Sequence, residues 1–168
     1  MDELQDMGEL HARRKSLKEL HVWIPSNRSY DSGEPAGMDG LNEIIDANRR
    51  NKYVGARLEQ EDVLWCAWYI RMAMVKAGWK PLDSATACEC AVHMKIVEPN
   101  CRRDVPNVYA GTAKYTLDAC TARHQSGSGA IYDDSVRWLK AFSQEIEVDP
   151  ERPGIDLTIT RLDSNDKR

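Results

Sequence analysis

The stretch Ala87-Cys88-Glu89-Cys90-Ala91-Val92-His93-Met94-Lys95-Ile96-Val97 decides the fold. Cys88, Cys90, Val92, Met94 and Ile96 fall on one side of an extended chain, and Glu89, His93 and Lys95 on the other. That alternation predicts a strand with one buried face. Upstream, Val63, Ala67, Ile70 and Met74 recur at helical spacing, and Leu64, Trp68 and Val75 widen the stripe. They predict a helix over 60–77, with Glu61 and Asp62 near its start and Gly78 and Pro81 past its end. Downstream, Arg102-Arg103-Asp104-Val105-Pro106-Asn107 opens a second helix that runs to about Ala122, with Pro106 in the first turn and Asp104 placed to cap it.

Residues 20–24 alternate apolar and polar up to Pro25, a short first strand, and 26–40 are Ser, Asp, Gly and Pro-rich loop. One or two helical turns fit 41–46. They lead into Asn48-Arg49-Arg50-Asn51-Lys52-Tyr53, a basic and amide-rich patch. His124 to Gly129 reads as a loop. Strands follow over 136–148 and 155–162, joined by the turn Asp149-Pro150-Glu151-Arg152-Pro153-Gly154. The order β-α-β-α-β-β predicts an α+β fold, a mixed sheet of about four strands with helices mainly on one face and a C-terminal hairpin. It occupies 20–163, between a charged arm or helix at 1–19 and a polar tail at 164–168.

Composition narrows the classes of function. At 168 residues the chain is long enough for one real core. No apolar run approaches the ~20 residues of a membrane span. The N-terminus carries Asp2, Glu3, Asp6 and Glu9, unlike a basic leader, so a cytoplasmic protein is expected. With Lys+Arg 23 against Asp+Glu 27, the chain is not a polycation that coats DNA regardless of sequence. Five cysteines without paired CxxC spacing read as reduced thiols, most of them core filler. Trp65, Trp68 and Trp79 read as core or interface, with Trp65 available to a dimer contact. The four histidines form no ligand spacing.

Chemistry can gather on the second helix. Asn107, Gly111, Lys114 and Asp118 share one face, and Asp104 precedes its first turn. Asp133 and Asp134 follow the apolar pair Ile131-Tyr132. Carboxylates from these three places converge only if a cation neutralises them, and Mg²⁺ or Mn²⁺ suits carboxylate oxygens. Lys114 beside them suits a phosphate. Each residue also has a plain structural role: Asp104 as a cap, Lys114 with Asp118 as a solvated pair, Asp133-Asp134 as a turn.

The ordered set Arg102-Arg103-Asp104-Val105-Pro106-Asn107, Lys114-Tyr115-Thr116-Leu117-Asp118-Ala119 and Ile131-Tyr132-Asp133-Asp134 resembles the RusA family of Holliday junction resolvases. So do Gly40-Leu41-Asn42-Glu43-Ile44-Ile45 with the basic patch after it, which is similar to phage-borne members, and the ending Gly154-Ile155-Asp156-Leu157-Thr158-Ile159-Thr160. The resemblance implies a homodimeric, Mg²⁺-dependent endonuclease that binds four-way DNA junctions and nicks two strands symmetrically. By position it implies metal ligands at Asp104, Asp118, Asp133 and Asp134, and catalytic roles for Asp104, Lys114, Asp118 and Asp134. It matches Asn107 to the family's Asn, and Lys114 to its helix lysine only if residues are inserted between them. Where the family commonly has an acid, this chain has Pro106. Either Asp118 or Asp133 then completes the shell, or the chain is a weak or inactive relative that binds branched DNA. Arg49, Arg50, Lys52, Arg57, Arg102, Arg103 and Asn107 are the expected DNA contacts.

Overall fold

The computed structural model describes residues 19–162, so the expected arm before Glu19 and tail after residue 163 lie outside the described residues. Strand β1 (Glu19–Pro25) is followed by helices α1 (Leu41–Arg50) and α2 (Lys52–Ala77). Strand β2 (Cys90–Glu98), helix α3 (Val105–Cys120), and strands β3 (Leu139–Val148) and β4 (Gly154–Arg161) complete the chain. The fold is the expected α+β class, with four strands in the order β1-β4-β2-β3.

The pairing is mixed. β4 is antiparallel to both β1 and β2, while β2 and β3 are parallel. A parallel pair cannot be closed by a tight turn, and here α3 supplies the crossover. β3 and β4 are consecutive, opposite in direction and joined by the short turn after Val148, yet β2 lies between them, so the hairpin is split rather than paired. Cys90, Val92, Met94 and Ile96 are buried as the alternation requires, beside Leu20, Val22 and Ile24 of β1 and Ile155, Leu157 and Ile159 of β4. Val63, Cys66, Ala67, Ile70 and Met74 of α2 and Tyr115, Ala119 and Cys120 of α3 close the core over them. His21, Trp23, His93, Lys95, Asp156 and Thr158 lie on the opposite, polar side, with His93 hydrogen-bonded to Ser143 at 2.8 Å.

The first two helices are longer than their apolar spacing showed. α1 extends through Arg50, and α2 begins at Lys52, where the Asn51 side chain accepts the Tyr53 N–H at 2.8 Å. Asn51 therefore ends one helix and caps the next. The basic patch is a helix–helix joint, and Asp62 sits in mid-helix, fully buried, instead of near a start. α2 ends at Gly78, whose φ of +68° lies in the left-handed region, and the Trp79 N–H bonds back to the Met74 carbonyl at 2.8 Å. Leu64, Trp68 and Val75 face outward and do not widen the buried stripe. Trp79 is buried, its Nε1 donating to the Ala130 carbonyl, and Trp65 is half-buried, donating to the Pro25 carbonyl. Of the five thiols Cys66, Cys90 and Cys120 are buried, as core filler should be, and burial pushes Cys66 and Cys90 up to about 12. No described helix is long and apolar enough to cross a membrane.

Candidate functional site: the two ends of α3

Helix α3 carries or adjoins every expected metal ligand, and it separates them. Asp104 is its N-cap, exposed, with no side-chain capping bond. Asp118 stands in its last turns. At ~1.5 Å per residue the helix sets these two backbone positions about 20 Å apart. Asp133 and Asp134 belong to the far end as well. The Ala122 N–H bonds the carbonyls of Ile131 (2.9 Å) and Tyr132 (3.2 Å), which fastens this segment beside the C-terminus of α3. The single cation cage expected from Asp104, Asp118, Asp133 and Asp134 is thus not formed within one protomer. No group of three or more His, Cys, Asp or Glu side chains among the described residues is arranged to hold a metal ion. Within one chain, Asp104 does not share a Mg²⁺ or Mn²⁺ ion with the acids at the far end of α3.

Lys114 takes the structural role. Its Nζ lies 2.8 Å from Asp118 Oδ2 and 3.2 Å from Glu59 Oε1, bridging α3 to α2. The Asp118 hydrogen bond, first among the causes, holds the ammonium above its ordinary pKa. α3 is continuous from Val105 to Cys120, so the residues between Asn107 and Lys114 form helical turns that carry the lysine away from Asp104. At the far end the Ser135 hydroxyl donates to Asp133 at 2.8 Å, a turn contact, and Asp134 is exposed.

Around the N-terminus of α3 the residues do converge, for architecture. Arg103 donates through Nη1 to the Met38 carbonyl (2.7 Å) and to both oxygens of Glu98 (3.1 and 3.2 Å), and its Nη2 lies 3.4 Å from Glu43. Both Nη groups of this guanidinium are therefore engaged within the fold. Asn107 is likewise engaged, accepting the Asn42 N–H at 2.6 Å and fixing the start of α1 to α3. Gly111 lets that approach happen, since a Cβ there would meet Gly40 Cα at 2.6 Å.

Of the remaining expected DNA contacts, Arg49 pairs with Asp46 (3.4 Å) and Arg57 with Glu61 (3.1 Å), both well exposed. Lys52 lies over the exposed Tyr53 ring, 5.1 Å from its centroid. Arg50 lines a cleft of about 360 Å³ with Arg28, Asp39, Glu43 and Asp46. Arg102 is exposed beside Asp104.

Sequence reasoning passed over the acids that matter most to this end of the molecule. Asp39, Asp62 and Glu98 are buried, and Arg28 is paired with Asp39. Desolvation raises the pKa of each of the three, with Arg28 opposing it at Asp39 and Arg103 at Glu98. Nothing in spacing along the chain announces such a group, because its members come from four separate segments. No protein-family model, no curated protein and no solved structure matches this chain.

Proposed function

We propose that the chain binds branched DNA in the manner of a RusA-like protein and that one protomer alone does not cut it. The ordered motifs support the DNA partner, together with the exposed cations Arg49, Arg50 and Lys52 at the α1–α2 joint and Arg102 ahead of α3. A single observation carries the lack of cutting by one protomer: α3 holds Asp104 about 20 Å from the acids at its other end.

The discriminating experiment incubates pure protein with a synthetic four-way junction, first with Mg²⁺ and then with EDTA. A shifted complex without nicks is the expected outcome for protomers that do not pair. Absence of any complex at low salt would overturn the proposal.

One observation favours a second reading, a Mg²⁺-dependent junction endonuclease. Asp104 and Asp134 are both exposed, and their carboxyl groups make no hydrogen bond or ion pair among the described residues. A two-fold axis that sets α3 antiparallel to its partner helix brings the first end of one copy to the second end of the other. Cleavage would then require two chains per site. Under this reading Asp104→Asn and Asp134→Asn proteins are each inactive. Mixed before dimerisation, they regain nicking, because the heterodimer contains one site with both acids intact. Nicking by a protein held monomeric would sink it.

A further inference from the structure

We propose that Asp39 and Asp62 share one proton, and that this pair is a latch holding the segment between β1 and α1 against the helical layer, tightest in acid and loosened as pH rises. Both carboxyls are buried, one from the loop that ends at Gly40 and one from the middle of α2. Their partners are unequal. The Arg28 guanidinium donates to Asp39, while Asp62 Oδ1 receives only the Asn27 amide at 3.2 Å. Asp62 Oδ2 is buried with no donor. A carboxylate oxygen without a donor in the interior is destabilising, and two facing acids relieve it by keeping one proton between them.

The asymmetry says where the proton rests. Arg28 favours the ionised form of Asp39, so Asp62 carries the hydrogen and donates it to Asp39. The other groups facing the pair do not supply the missing charge. Glu43 from α1 adds a negative charge, Arg103 spends its positive charge on Glu98 and Glu43, and Tyr115 of α3 donates its hydroxyl to the Asp39 carbonyl at 2.9 Å. Cys66, one turn along α2 from Asp62, is a neutral thiol. Four acids (Asp39, Asp62, Glu43, Glu98) thus face two guanidiniums.

The sign follows from linkage. Burial, with Asp39 next, raises the Asp62 pKa from 3.8 to about 7. Between those values an opened segment has lost the proton that the closed segment still holds. Opening therefore releases one proton, and its equilibrium constant rises about tenfold per pH unit before levelling off near pH 7. Asp62→Asn replaces the shared proton by a permanent amide donor and removes that dependence.

Two measurements test the latch on the full chain. Infrared spectra should show a protonated carboxyl C=O stretch that survives above about pH 5, where free carboxyls are ionised, and that is missing in Asp62→Asn. Hydrogen exchange, corrected for its intrinsic pH dependence, should show opening at the Ala36 N–H, which is bound to the Arg28 carbonyl. Opening there should rise about tenfold per pH unit between about pH 4 and pH 7 in the parent and stay flat in the variant. A parent spectrum without the protonated band overturns the proposal even if the variant fails to fold. So does equal pH dependence in both proteins, or tightening of the parent by Mg²⁺ or Ca²⁺ near neutral pH, which would place a cation where the proton is proposed.

Discussion

A guanidinium that meets two carboxylates and a carbonyl at once has no interchangeable substitute. Arg103 joins β2, α1 and the loop before α1 through Glu98, Glu43 and Met38. Arg103→Met leaves the buried Glu98 without its partner, and chemical denaturation should register a loss of about 3–5 kcal/mol. Lys114→Ala is the contrasting case. Its side chain is 61% exposed, so removing the ion pairs should cost at most ~1 kcal/mol and leave junction binding in place. Gly111→Ala forces a methyl group into the Gly40 backbone, and overpacking of this kind should cost about 1–3 kcal/mol, read as a lowered thermal midpoint. The sequence shows all three residues, and it places Lys114 and Gly111 on one helix face, but their meanings differ in visibility. The Lys114–Asp118 pair is local and can be read from a spacing of four. Glu98 is only five positions before Arg103, but Met38, Glu43 and the Gly40 that Gly111 meets come from a segment some sixty or seventy positions upstream, and no local pattern encodes those contacts.

Among the elements, α3 has the widest consequences. Its apolar positions, its opening Pro106 and its length are legible in the chain, and so is the list of acids at its two ends. What the list does not contain is rise per residue applied between them: a helix that is continuous rather than interrupted keeps its ends apart. α2 was legible only in part, because the segment 52–59 is polar and basic and carries little apolar periodicity, while its start is set by one amide. Asn51→Ala should therefore fray both helices that meet there and cost about 0.5–2 kcal/mol, detectable as lost helicity and lower stability. If the cations at that joint hold DNA, the same substitution should also weaken junction binding by shifting Arg50 relative to Lys52.

At the scale of the whole molecule, one face of the sheet carries the helices and the other is polar, which the alternation in β2 already implies. Strand order and the parallel β2–β3 pair are not implied by it, since a strand with one buried face can take neighbours in either direction. The proposed binding of a four-way junction by so acidic a chain, at formal net charge −4, would have to come from local cations against a repulsive background. Its affinity should fall steeply with salt, the logarithmic slope counting the phosphates engaged, and titration at several salt concentrations measures it. An affinity indifferent to salt would exclude phosphate contact.

The position of β4 bears on how the chain is made. Residues 154–161 are the latest to leave the ribosome of all those in the sheet, yet they alone join β1 to the rest. Among the described strands the first, β1, thus waits for the last before it gains a paired strand, with its apolar side chains Leu20, Val22 and Ile24 uncovered by sheet in the meantime. The sheet cannot close before residues 154–161 have emerged, and a nascent chain stalled short of residue 154 is the form most exposed to chaperones and proteases.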